Sequence, residues 1–135
     1  MLCKNYILYK IYYGNELVYI GRTKQDLADR LRLHFFGKPL VKKLDILQTT
    51  RIEYTVLESE ADMYLMEIYL ICKYKPLINR DDKPHDNISE CFILPEPQFY
   101  TYDNPLIEKW RENEINKIIE LSEEEYFFDE CFYVS

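Results

Sequence analysis

Between Met63 and Cys72 the chain reads Met-Tyr-Leu-Met-Glu-Ile-Tyr-Leu-Ile-Cys, and Glu67 is its only charge. A carboxylate set against apolar surface is costly unless it is paired, protonated or bound to a metal ion. The plain alternative puts Glu67 on a solvent strip of a helix, but this run is apolar almost all round. Arg30 and His34 stand at i and i+4, and so share one helix face beside the stripe Leu27, Leu31, Phe35. A cation and a titratable imidazole at the edge of a buried stripe could line a cleft, although Arg and His on a solvated face are the commoner case. Tyr9, Tyr12, Tyr13 and Tyr19 crowd a short stretch. Tyrosine is an ordinary strand residue, yet its hydroxyl serves as a general acid or base when neighbours shift its pKa.

The elements that must position these groups can be read from the pattern. Residues 5–13 and 16–21 are rich in β-branched and aromatic residues and flank Gly14-Asn15, a tight-turn pair, which predicts a hairpin. Both strands are apolar at nearly every position, as expected of a sheet covered on both faces. A helical stripe over Gln25–Phe36 stops at Gly37 and Pro39. Residues 40–48 predict a short second helix presenting Lys42 and Lys43 to solvent, and Arg51–Leu57 a third strand. Ser59 is the expected N-cap of a long helix, with Asp62 completing an imperfect capping box, and Pro76 ends that helix after Tyr74. The fold class that follows is α+β, a small three-stranded antiparallel sheet flanked by helices. Beyond Pro84, residues 105–122 predict a further helix with acids between its apolar positions.

Charge divides the chain. Residues 1–83 hold 14 basic and 11 acidic side chains, a net +3, whereas residues 84–135 hold 3 and 13, a net −10. The second part argues against nonspecific nucleic-acid affinity of the whole, and the first remains compatible with it. We therefore expect a domain over 1–83 and an acidic, aromatic-rich extension over 84–135 that packs on it. Cys3, Cys72, Cys91 and Cys131 form no CxxC pair, which gives no support to a zinc ribbon or finger and leaves buried free thiols as the expectation. No apolar run reaches the roughly 18 residues of a membrane span, and Met1–Asn5 lacks the layout of a signal peptide. A soluble, cytoplasmic protein is expected.

Tyr19-Ile20-Gly21, followed by Arg22-Thr23-Lys24-Gln25 and then Arg30 and His34, resembles the opening of the GIY-YIG nuclease superfamily. The first half of the name-giving motif is degenerate here, Ile7-Leu8-Tyr9, with only the tyrosine kept. Glu67 and then Lys75-Pro76-Leu77-Ile78-Asn79 resemble the second block, a helix glutamate followed by an asparagine after a Lys/Gln-Pro turn. Asn79-Arg80-Asp81-Asp82-Lys83 is similar to text just after the nuclease module of bacterial excinuclease C. The resemblance covers roughly residues 5–83.

It implies a small endonuclease hydrolysing phosphodiester bonds, in DNA more than RNA, with one divalent cation, Mg²⁺ or Mn²⁺, held by Glu67. Arg30 would bind the nonbridging oxygens, Tyr9 would help activate the attacking water with Tyr19 assisting, and His34 would relay the proton or hold the phosphate. Asn79 would orient neighbouring groups. Arg22, Lys24, Lys42 and Lys43 are the expected substrate-binding cations. The two-residue Gly14-Asn15 loop conflicts with this picture. It pairs Tyr13 with Glu16, hence Tyr9 with Ile20, and puts Tyr9 and Tyr19 on opposite faces. We expect an odd loop, such as Tyr13-Gly14-Asn15, or a bulge. A second class of function is a protein-binding or nucleic-acid-mimicking module acting through the acidic part, on a basic partner or on the chain itself. A short module with an unmatched tail suggests a phage or viral genome.

Overall fold

The computed structural model describes residues 5–37, 42–80 and 86–133, with side chains described as far as Glu123. The chain divides into two compact units, Met1–Asp103 and Asn104–Ser135. Pro39, Leu40 and Val41, the Asp81–Lys83 segment, Cys3, and the side chains of Cys131 and of the aromatic Tyr126–Val134 stretch lie outside the described residues.

In the first unit β1 (Tyr6–Tyr13) and β2 (Glu16–Thr23) form the hairpin, α1 spans Leu27–Phe36, β3 spans Thr49–Leu57 and α2 spans Glu60–Tyr74. A 3-10 turn follows at Leu77–Asn79, and β4 is Tyr100–Thr101. The sheet is antiparallel, in the order β2-β1-β3-β4. It has four strands rather than three. The added strand comes from the segment past Pro84: Glu53 pairs with Thr101 and Tyr54 with Tyr100. Charge alone therefore changes at residue 84, while the packed unit runs on to Asp103.

Gly14, with φ at +61°, lets the hairpin turn in two residues, so Tyr13 does face Glu16. The register then shifts: Tyr12 faces Leu17 but Ile11 faces Tyr19, which leaves Val18 as an extra residue in β2. A one-residue bulge reverses the face of every side chain beyond it. Tyr9 now opposes Gly21, and Tyr9 and Tyr19 share a face.

The other face carries one cluster of the apolar core. Leu8, Ile20, Tyr69, Leu70 and Ile71 form one buried cluster, against which Met66, Leu57, Ile88, Leu94 and Phe99 pack. Full burial of a Leu or Ile side chain stabilises by about 1.5–3 kcal/mol, more than the roughly 0–1 kcal/mol of a surface ion pair. This cluster, not the pairs on its rim, holds α2 to the sheet. Ser59 caps α2, its hydroxyl accepting from the Asp62 amide at 3.0 Å. Pro76 disfavours a helical Lys75, which takes the left-handed conformation at φ 48° and closes the helix. The Lys73 ammonium and the Tyr74 hydroxyl both bond Glu96, tying residues past Pro84 to the end of α2.

The predicted helix over 40–48 does not form in residues 42–48. The Leu44 amide donates to His34 O, and the Asp45 carboxylate accepts from the Leu47 amide. The segment thus runs from the end of α1 into a side-chain-capped turn. Cys72 is buried, as expected, and in no disulfide, but Cys91 is exposed. The second unit is α3 (Pro105–Tyr133), longer than the predicted 105–122. Asn104 opens it by accepting from the Leu106 amide, and Ile115, Ile118, Ile119 and Leu121 are exposed along it. Among the described residues no helix is long and apolar enough to cross a membrane.

Candidate active-site cleft

A cleft of about 420 Å³ opens beside β2, lined by Tyr19, Arg22, Thr23 and Lys24, by Arg30 of α1, and by Met63, Tyr64, Glu67 and Ile71 of α2. Tyr9 and His34 lie behind this wall, both fully buried. The rings of Tyr19 and His34 are 5.0 Å apart, those of Tyr9 and His34 5.7 Å, and those of Tyr9 and Tyr19 6.1 Å. Gly21 makes this close approach of the rings possible. A Cβ there would sit 2.5 Å from Tyr9 Cζ and Oη and 2.7 Å from Tyr19 Cε2. The glycine of the Tyr-Ile-Gly motif is a floor for two aromatic rings.

The proton positions follow from the partners. His34 Nδ1 is 2.7 Å from the Lys42 carbonyl, which can only accept, so Nδ1 carries the hydrogen. Nε2 is then the acceptor for the Tyr9 hydroxyl at 2.6 Å. Burial, with the Arg30 charge adding to it, lowers the His34 pKa from 6.5 to about 4 against the opposing carbonyl bond, so the ring is neutral at pH 7. Burial pushes the Tyr9 phenol up to about 12, while hydrogen bonds from Arg30 and Tyr19 and the Arg30 charge pull it back. At neutral pH the wall holds a chain of hydrogen bonds from Tyr19 to Tyr9 to a neutral His34.

This burial sets a pH dependence of folding. Between about pH 6.5 and 4 the unfolded chain binds a proton on His34 that the folded chain does not. The contribution is present above pH 6.5 and is lost as pH falls toward 4, about 3 kcal/mol in all. Urea denaturation from pH 7 to 4 should show a His34→Gln variant losing stability less steeply than the wild type. Parallel curves would mean that His34 does not titrate between the two states.

The other groups sort themselves by reach. Glu67 Oε1 accepts from Arg22 Nη1 at 2.5 Å, and the Arg22 guanidinium lies 4.4 Å over the Tyr64 ring. Lys24 pairs with Glu60 at the cleft rim. The Arg30 Nε is buried and lacks a hydrogen-bond partner. Asn79 is buried and stays out of the cleft. Its Oδ1 accepts from the Ile20 amide at 2.7 Å and its Nδ2 donates to the Ile20 carbonyl at 3.0 Å. It thereby fixes the backbone between Tyr19 and Gly21. Lys42 and Lys43 do not line the cleft. Lys42 supplies its carbonyl to His34, and the Lys43 ammonium donates to Phe35 O near the end of α1. Sequence reasoning missed Tyr64, whose exposed ring next to Glu67 had no signal beyond its place one turn earlier on the helix.

Among the described residues no three metal-ligating side chains gather. Among the described residues Glu67 is the one carboxylate in the cleft lining. A single carboxylate fits a hard cation that keeps water and phosphate ligands and does not fit a zinc cage.

Over 66 residues the chain is 35% identical to UvrABC system protein C of Fervidobacterium nodosum and, over a stretch of the same length, 35% identical to that of Thermosipho africanus. The match takes in 49% of this chain and 12% of each relative. The chain thus corresponds to a small part of those proteins. No family model and no solved structure matches it. The likeness to excinuclease C read from the sequence therefore has a counterpart across about half of the chain.

Proposed function

We propose that the cleft is the active site of a GIY-YIG-type endonuclease that hydrolyses phosphodiester bonds in DNA with the help of Mg²⁺ or Mn²⁺. One observation carries the reading: a buried guanidinium nitrogen without a partner, on Arg30, shares a cleft with the Glu67 carboxylate. An unpaired buried donor costs stability. A phosphate oxygen is the partner that would satisfy it, and the similarity to UvrABC system protein C supports nucleic acid as the source of that phosphate.

Glu67 would hold the cation, which when bound supplies charge stabilisation at the scissile phosphate. Arg30 binds the nonbridging oxygens and stabilises the charge that builds on them. Arg22 and Lys24 extend the cationic wall along the backbone. Tyr19 stands at the cleft and Tyr9 behind it, so the hydroxyl nearest the attacking water is that of Tyr19. As water attacks phosphorus and the bond to the leaving oxygen breaks, the water proton passes to the Tyr19 oxygen, the Tyr19 proton to Tyr9 and the Tyr9 proton to His34 Nε2, and the leaving oxygen takes its proton from solvent. The imidazolium that forms keeps its Nδ1 hydrogen on the Lys42 carbonyl. Asn79 acts from behind by holding the β2 backbone.

Incubation with plasmid, single-stranded DNA and RNA, with and without Mg²⁺ and beside Glu67→Ala, tests the reading. The expected result is Mg²⁺-dependent cleavage of DNA that the variant lacks. Equal cleavage by Glu67→Ala, or no cleavage of any substrate, would overturn it.

A further inference from the structure

The cleft contains more cations than its acids require, yet its key acid is already taken. Arg22 is 40% exposed and Glu67 13%, so the pair closes from the solvent side over a carboxylate that is itself mostly covered. The guanidinium is held there twice, by Glu67 Oε1 at 2.5 Å and by the Tyr64 ring at 4.4 Å. The Tyr64 hydroxyl is anchored in turn on Glu60 at 2.8 Å. An arginine on a carboxylate occupies the lone pairs and the charge that a hard cation would use.

We infer that Arg22 is an internal competitor for Glu67, so that a divalent cation reaches the carboxylate only as the guanidinium leaves it. The inference rests on the reading of Glu67 as the cation's ligand. The two positive partners do not share the same oxygen face at close range, because a dication within a few Å repels the guanidinium strongly. Arg22 has somewhere to go, since its exposed side faces the cleft in which a phosphate would lie. Tyr64 keeps the guanidinium beside the carboxylate in the absence of substrate, which makes the exchange short. Arg22 is thus a positioning residue: it holds the Glu67 carboxylate in place and lowers its affinity for free cation.

Mn²⁺ binding to the full chain, measured by calorimetry and by the loss of the free-ion electron paramagnetic resonance signal, tests this without reference to activity. Arg22→Gln should bind Mn²⁺ about three- to tenfold more tightly than the wild type, the effect of removing a partly exposed pair worth up to about 1 kcal/mol together with its repulsion. In the wild type, Mg²⁺ should shift the Arg22 side-chain NMR resonance with the midpoint of binding. An Arg22→Gln affinity equal to or weaker than that of the wild type overturns the inference, as does an Arg22 resonance unmoved at saturating Mg²⁺. Glu67→Gln separates the two levels. If it binds Mn²⁺ as well as the wild type, the assignment of Glu67 as ligand has failed. If it abolishes binding while Arg22→Gln gains nothing, only the competition has failed.

Discussion

Replacing Arg30 with alanine should slow DNA cleavage by about 10²- to 10³-fold, the usual loss when a donor aimed at transition-state charge is removed. Its Nε has no partner in the folded protein, so truncation breaks no bond of that nitrogen. Truncation also removes the guanidinium's hydrogen bond to Tyr9 along with the buried unsatisfied donor, two opposing effects, so thermal stability should change little. Part of the loss is indirect, because Arg30 also holds down the Tyr9 pKa. Single-turnover kinetics beside thermal melting separates the outcomes. Cleavage at the wild-type rate would remove Arg30 from the chemistry, and failure to fold would assign it a packing role.

A methyl group at position 21 should do more damage than its size suggests. In Gly21→Ala the new Cβ would meet one ring carbon and the hydroxyl oxygen of Tyr9 and one ring carbon of Tyr19 at 2.5–2.7 Å, all well inside contact distance. Tyr9 is fully buried and bonded to His34, so its ring cannot swing clear without breaking that bond. Overpacking of this kind costs about 1–3 kcal/mol. The strain falls on the chain of hydroxyls that would carry the proton, and general-base losses run to about 10²- to 10⁴-fold. Gly21→Ala should thus lower both the denaturation midpoint and the cleavage rate. Removing the hydroxyl alone, in Tyr9→Phe, should lower the rate with a smaller loss of stability. A Gly21→Ala protein with wild-type stability would show that the rings can move aside.

The elements that carry the site were legible because their periods are strong. The Leu27-Leu31-Phe35 stripe, the hairpin around Gly14-Asn15 and the cap at Ser59 each have a local cause, and each appears in the fold. The bulge was legible only as a contradiction. The turn chemistry demanded one register and the shared site of Tyr9 and Tyr19 the other, and an extra residue at Val18 satisfies both. The short helix predicted over 40–48 is absent from residues 42–48 because its apolar spacing fits a turn equally well, and Asp45 caps that turn with its own side chain. Strand β4 was missed because two residues give no alternation to count, although the aromatic run Phe99-Tyr100-Thr101-Tyr102 is strand-like. The Arg22–Glu67 pair could not be read at all, since nothing local links a strand end to a helix face 45 residues away.

Asn79 bears on a different property, the resistance of the sheet to joining other sheets. Strand β2 is an outer strand, and Ile20 turns both its backbone N–H and its C=O to the open side. The asparagine amide supplies one acceptor and one donor to the pair, as a neighbouring strand would. It ends the ladder at that point with a side chain that cannot propagate it. A bare outer strand is a template for another chain, and the Leu17-Val18-Tyr19-Ile20 run is apolar enough to recruit one. A single amide that pins the cleft's own strand from behind therefore also closes the two backbone groups of Ile20 to a strand from another copy.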